Sequence, residues 1–403
     1  MIETKFKQTE IGLIPEDWEV FSVMNDCIVK ARIGWQGLKT SEYLSSGEYG
    51  LITSTDIVNG RINWSTCVFV NRERYFQDGN IIVKNGDVLV SKDGTIGKVG
   101  IVADMPFPAT LNSGVFVIRT KSSFIRQKGL SLAFISPYFL DFIKKLTAGS
   151  TIVHLYQKDI VDYKFPLPQK TAEQERIVDA LFDVDKLISS LSKMIEKKRL
   201  IKQGTMQQLL TGKKRLPGFD GEWVEMELGE LLKYEQPQLY IVQDTEYLTT
   251  GIPVLTAGKT FILGYTCETK GVYKDVPIIL FDDFTTASKY VNFKFKVKSS
   301  AAKILSLRDR KCNLRLIYEL MQMIDFPLAD HQRYWISEYS HIKIWLPDDY
   351  DEQDAIANVF TTMDNEIESL EDERDKYIRL KEGMMQKLLT GQIRLVDTAY
   401  RKH

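Results

Sequence analysis

Cysteine is scarce in this chain of 403 residues: Cys27, Cys67, Cys267 and Cys312 stand far apart. There is no CxxC pair and no His-x-His, which argues against a zinc or disulfide framework and for free thiols in a reducing cytosol. Histidine is equally scarce. His154, His331, His341 and His403 share no metal-ligand spacing, so each reads as a structural or surface residue. No window approaches 18 apolar residues and the N-terminus carries no apolar core of a signal peptide, so neither a membrane span nor a signal is expected. Net charge is only -1. The chain as a whole is not a polycation, although local basic patches matter more than the sum. The common catalytic signatures are missing as well: GxSxG, HExxH and GxGxxG do not occur. Neither does Asn-Pro-Pro or Asp-Pro-Pro before an aromatic, the usual amino-methyltransferase loop. Gly94-Thr95-Ile96-Gly97-Lys98 sets its glycines too close for a phosphate loop, and Val99 stands where Ser or Thr is needed, so strand-turn-strand is the better reading. An enzyme with its own active centre is disfavoured.

What the chain does have is one long stretch written twice. Leu167–Leu216 and Leu346–Leu395 align without a gap at an offset of 179 residues. Matched positions include Pro168/Pro347, Glu173/Glu352, Gln174/Gln353, Ile177/Ile356, Asp185/Asp364 and Leu191/Leu370, and each copy ends in Leu-Leu-Thr-Gly (209–212 and 388–391). An internal repeat fixes the architecture before anything else is read. In the first copy Ile177, Leu181, Val184, Ile188, Leu191 and Ile195 step by 4, 3, 4, 3, 4. Ile356, Phe360, Met363, Ile367 and Leu370 hold the same register in the second. This predicts a heptad seam on two long helices of about 30 residues, roughly 45 Å each. Thr171 with Gln174 resembles a capping box, and Gly212 and Gly391 sit where the helices should stop.

Charge predicts how the helices pair. From Lys193 to Arg215 there are eight basic residues and one acidic; from Asp348 to Lys376 there are twelve acidic and two basic. Antiparallel packing sets the basic end of one beside the acidic start of the other. The acidic middle of the second helix, Asp364 to Asp375, would then face Asp179, Asp183 and Asp185, a stretch left over for a partner protein.

Between the repeats lie two variable regions of similar texture. Each is led in by an acidic residue and Trp, at Asp17-Trp18 and Glu222-Trp223. Short β-type runs at 49–52, 81–83, 88–90, 114–118, 252–255, 277–281 and 290–293, with helices at 130–146 and 314–323, predict mixed α+β domains. Polar and basic clusters are the candidates for nucleic-acid contact: Thr53, Ser54, Thr55, Lys92 and Lys98 in the first region, Thr256, Lys259, Thr285, Thr286, Lys289 and Tyr290 in the second. Lys294, Lys296 and Lys298 alternate, which puts their charge on one strand face where phosphates could be neutralised. The alternative is a solvated edge strand. His331-Gln332-Arg333-Tyr334-Trp335 mixes donors with aromatics, as a base-reading loop does; an ordinary surface loop is the equal alternative.

The order region, repeat, region, repeat resembles the specificity subunit of type I restriction-modification systems over essentially the whole chain. The residues that carry the likeness are Ile14-Pro15-Glu16-Asp17-Trp18, Asn85-Gly86-Asp87-Val88-Leu89-Val90, Phe165-Pro166-Leu167-Pro168 with Glu173-Gln174, both Leu-Leu-Thr-Gly blocks, Thr256-Ala257-Gly258-Lys259 and Phe281-Asp282-Asp283-Phe284-Thr285-Thr286. The resemblance implies two target recognition domains (1–165 and 216–345) separated by two long antiparallel coiled-coil helices (166–215 and 346–403) with circular pseudo-two-fold symmetry. It implies that each domain reads half of a bipartite, asymmetric target on double-stranded DNA, and that the helices act as a ruler and dock two methyltransferase subunits. Restriction subunits join them. S-adenosylmethionine, ATP and Mg2+ belong to those partners and none to this chain, which works in the cytoplasm. A specificity subunit of a type II-like restriction-methylation enzyme, or a helical scaffold adaptor with no DNA function, are the other readings.

Overall fold

The computed structural model describes residues 4–396 except 148–153, 257, 259, 310 and 328–332. The chain divides into two compact units. One comprises Met1–Ser190 with Arg374–His403, the other Leu191–Glu373. Each takes a share of both long helices, which run over Thr171–Leu209 and Tyr350–Leu388. At 39 residues each they exceed the 30 predicted, and at 1.5 Å per residue each is about 58 Å long. The apolar seam runs out before the helices do, so pattern alone under-reads their length.

In the first unit the lead-in Trp18–Ser22 pairs antiparallel with Lys164–Pro168, which opens directly into the first long helix. The chain thus leaves its variable domain beside the strand by which it entered. Between them a six-stranded sheet orders Cys27–Ala31, Val115–Thr120, Val88–Ser91, Val99–Ile101, Arg61–Ile62 and Ile57–Val58. A second sheet orders Ala109–Leu111, Tyr49–Ile52 and Val68–Val70. The Gly94–Lys98 stretch is the turn of the hairpin between Val88–Ser91 and Val99–Ile101, with Gly94 at φ +69° and Gly97 at φ +77°. It is not a phosphate loop. Two predicted elements differ. Residues 81–83 form no strand: a 3-10 turn ends at Ile81 and Ile82 makes one isolated bridge to Thr110. The helix predicted at 130–146 is two helices, Gln127–Ile135 and Pro137–Thr147. Pro137 forces Ser136 into extended backbone (φ -74°, ψ 158°) and breaks the run.

The second unit repeats the frame. Trp223–Glu227 pairs with Lys343–Pro347, which leads into the second long helix. A four-stranded sheet orders Leu232–Glu235, Ala302–Leu307, Ile278–Asp282 and Ser288–Val291. A three-stranded sheet orders Ile262–Thr266, Ile252–Leu255 and Lys296–Val297, and one helix covers Leu314–Met321. The α+β class with two long antiparallel helices holds.

The helix seam is less self-contained than heptads suggest. Ile177, Val178 and Leu181 of the first helix share the first unit's core with Trp18, Phe134, Phe165 and Leu388-Leu389. Ile356 and Phe360 do the same in the second unit with Leu209-Leu210, Phe281 and Trp335. Leu191 and Ile195 are buried, Ile367 nearly so, and Val184, Ile188, Met363 and Leu370 are half-buried. The outer ends of the seam thus anchor the variable domains. Thr171 is the first helical residue rather than a cap. Gln174 Nε2 instead donates to Pro168 O at 2.7 Å, and Gln353 Nε2 to Pro347 O at 2.8 Å, the same bond in both copies.

Candidate nucleic-acid interface

The two copies close on each other through a repeated arginine clasp. Arg394, just past the second Leu-Leu-Thr-Gly block, binds Glu173 at the start of the first copy through Nε (2.6 Å) and Nη2 (2.7 Å). It also binds both oxygens of Asp17 at 2.7 Å and lies over the Trp18 ring. Its counterpart 179 residues earlier, Arg215, binds both oxygens of Glu352 and lies over Trp223. Glu173 and Glu352 are buried. The hydrogen bond to Glu173 holds the Arg394 pKa well above its ordinary value, and the Arg394 bond holds Asp17 below its own. Sequence reasoning missed the clasp, although both arginines and both glutamates occupy matched repeat positions.

The helices pair antiparallel in each unit. In the first, Lys381 reaches Asp185 at 2.7 Å. In the second, Lys198 meets Glu366 at 2.6 Å, Arg199 meets Glu371, and Lys202 meets Asp364 at 2.8 Å. This corrects the expected placement of the acidic middle. Asp364, Glu366 and Glu371 face Lys198, Arg199 and Lys202, while Asp185 takes Lys381 and Asp179 takes Lys128. Arg315 and Glu319 of the Leu314–Met321 helix join Asp364 and Lys202 in one network. Burial pulls down on the Arg315 guanidinium, but the carboxylates of Glu319 and Asp364 outweigh it and raise its pKa.

Each unit also holds a cavity where its variable domain lies on the helix pair, of about 570 Å³ in the first and 530 Å³ in the second. Their walls share Asp185/Asp364, Ile188/Ile367, Lys381/Lys202 and Met385/Met206, all matched across the repeat.

The predicted contact residues fall on loops and strand ends. Thr53 opens a turn: its N and Oγ1 each donate to Asp56 Oδ2 at 2.8 Å, and Oγ1 lies 2.7 Å from that of Thr55; Ser54 is half-buried. The Lys92 ammonium stands 5.3 Å from the Phe116 ring centroid. The Lys98 N–H donates to Ser91 Oγ at 2.8 Å, leaving its side chain at the cavity wall. In the second unit Thr256 Oγ1 closes its own loop on Thr260 O at 2.9 Å, and Lys259 lies outside the described residues. Thr285 and Thr286 form the turn after Ile278–Asp282, with Thr286 at φ +56°. Lys289 and Tyr290 are half-buried on Ser288–Val291, and Tyr290 packs on Arg315 and Tyr318.

The lysine stripe does not form. Lys294 and Lys298 are exposed, but Lys296 is buried and bonded to Glu268 at 2.5 Å and to Lys270 O at 2.8 Å. Its strand is only Lys296–Val297, and it turns that face inward. The loop at 331–335 is corrected similarly. Its first two residues, His331 and Gln332, lie outside the described residues. Tyr334 and Trp335 are core residues, 1% and 2% exposed, whose N–H groups donate to Asp283. Arg333 remains exposed, over the Phe284 ring. Among the described residues no His, Cys, Asp and Glu group is placed to hold a metal ion, and no helix is long and apolar enough to cross a membrane.

Two variable α+β domains carried on one duplicated helical frame define a class of protein that presents two nonidentical surfaces from a common scaffold. A family model described as the type I restriction modification DNA specificity domain matches residues 15–200. The chain is 49% identical over 148 residues to the type I restriction enzyme EcoR124I/EcoR124II specificity subunit of Escherichia coli, 35% of this chain and 36% of that one. It is 30% identical over 215 residues to the MjaVIII specificity subunit of Methanocaldococcus jannaschii, covering 52% and 49%. These two matches span a third to a half of the relatives' length. The putative MjaX specificity subunit of the same organism matches nearly throughout, 25% identical over 98% of this chain and 97% of that one. In fold, the S subunit of a type I restriction-modification system from M. genitalium superposes with a TM-score of 0.68 at 15% identity, covering 96% and 99%. Residues 15–200 thus match the type I restriction-modification DNA specificity family, and the chain over its length is similar to type I specificity subunits. Specificity subunits of this family are in general non-catalytic.

Proposed function

We propose that the chain is the address-reading subunit of a type I restriction-modification complex, with each variable domain reading one half of a bipartite, asymmetric sequence on double-stranded DNA. The helices set the gap between the halves and dock two methyltransferase subunits, which restriction subunits join. S-adenosylmethionine, ATP and Mg2+ are used by those partners, in the cytoplasm. One observation carries this reading: two domains of different sequence are each closed by the same strand pair and the same arginine clasp. A common frame with two different faces is what an asymmetric split target requires, and a repeated helix offers one partner two similar seats. Contacts to phosphate and base edges fall to exposed side chains of the loops described above, Lys294, Lys298 and Arg333 among them.

The test is a modified-base map of DNA from cells that express this chain with its methyltransferase partner. A bipartite motif with unlike halves is expected, and its loss on deleting this chain. Modification that persists unchanged after deletion would overturn the assignment.

A further inference from the structure

An apolar heptad seam holds two helices together but tolerates slippage, because moving one helix seven residues along the other, about 10 Å, restores the same pattern. A polar residue at a seam position distinguishes one register from the next. Continued at steps of 3 and 4, the seam reaches Lys202 on the first helix and Lys381 on the second, and these are matched positions of the repeat. Each ammonium meets an aspartate of the opposite helix: Lys202 meets Asp364 at 2.8 Å and Lys381 meets Asp185 at 2.7 Å. The aspartates are themselves matched. One ion pair is therefore written twice, once in each unit, and the residue numbers of its partners add to the same total both times. The lysine side chains are only 18% and 23% exposed, so an unmet charge there is poorly solvated.

A heptad slip either way breaks this arrangement. It sets Asp364 against Leu209 or Ile195, and Lys381 against Ser192 or Val178. Asp185 meets Leu388 or Arg374, and Lys202 meets Glu371 or Ala357. Neither slipped register gives more than one of the four charges an opposite charge on the facing helix.

We propose that the Lys202–Asp364 and Lys381–Asp185 pairs are the register lock of the helix pair, and hence positioning residues that fix the length of the nonspecific gap in the DNA target. The proposal rests on the address-reading function above. Its test uses the same modified-base map, with the full chain and its methyltransferase partner. Lys202→Glu with Lys381→Glu sets acid against acid at both sites and substitutes no residue of the variable domains, although Lys202 also meets Glu319 of the Leu314–Met321 helix at 3.3 Å. The expected result is unchanged half-sites with a shifted or mixed gap. One gap of wild-type length would overturn the lock and assign the register to the arginine clasps and domain cores. If the double variant modifies nothing, adding Asp185→Lys rebuilds one pair with reversed polarity. Return of modification at the wild-type gap supports the lock, and continued absence overturns it. A wild-type chain that yields no bipartite motif would defeat the address-reading function instead, so the two failures are distinct.

Discussion

Arg394 shows how much one residue carries here. Its guanidinium serves Glu173, Asp17 and the Trp18 ring together. Arg394→Gln leaves a buried glutamate without its cation, which costs about 3 kcal/mol, to be read as a lowered urea midpoint with unchanged slope. Arg215→Gln acts in the same direction on the second unit. Asp17 adds an acid limb. Its folded pKa lies below the ordinary 3.8, so its contribution is present above that value and fades as pH falls through the lower folded value. Asp17→Asn should therefore flatten stability loss below about pH 4 in acid titrations. Thiol chemistry is graded by burial. Burial pushes Cys27 and Cys67 up to about 12, whereas Cys267 is exposed. A maleimide should label Cys267 in the native protein and reach Cys27 and Cys67 only on unfolding, as peptide mapping will show. Lys296 illustrates what alternation hides. Three lysines at every second position predict one charged face, yet burial and Glu268 claim the middle one. Lys296→Met should lower Tm without changing the salt dependence of DNA binding. Neutralising Lys294 and Lys298 together should flatten that dependence and leave the recognised sequence alone.

At the scale of elements, the long helices and their stops were legible because heptads and terminal glycines are local signals. Gly212 and Gly391 do end the runs at φ +66° and +70°. They are not equivalent. A Cβ on Gly391 would stand 2.2 Å from Pro15, whereas on Gly212 its nearest neighbour is Trp223 at 3.8 Å. Gly391→Ala should therefore destabilise its unit more than Gly212→Ala does the other, as differential scanning calorimetry will measure. Phe360, fully buried where the second helix meets its domain core, should cost about 3–5 kcal/mol on truncation to Ala. The strand at 81–83 and the unbroken helix at 130–146 were misread. An apolar triplet does not reveal whether a ladder partner is available, and Pro137 decides locally against the longer-range helical spacing.

At the scale of the molecule, the internal repeat made the architecture readable from one sequence. The ruler gives a matching prediction: inserting one heptad into either helix alone should disrupt assembly, and matched insertions in both should lengthen the gap in the modified motif. Matched insertions that leave the gap unchanged would rule the ruler out. The contact surface was the least legible part. Charge and hydroxyl clusters do not say which side chains fold inward, and Tyr334, Trp335 and Lys296 all did.

The sequence by itself determined the two-fold duplication, the antiparallel sense of the helices and the family likeness, because each rests on periodicity, on charge distribution or on matched positions along the chain. Tertiary structure decided which charges meet. The acidic middle of the second helix, left over in the sequence, found Lys198, Arg199 and Lys202 across the pair. The clasps join Arg394 to Glu173 and Arg215 to Glu352 over separations of 221 and 137 residues, which no local pattern encodes. Such contacts depend on the register in which the helices lie, and that register exists only once the chain has folded.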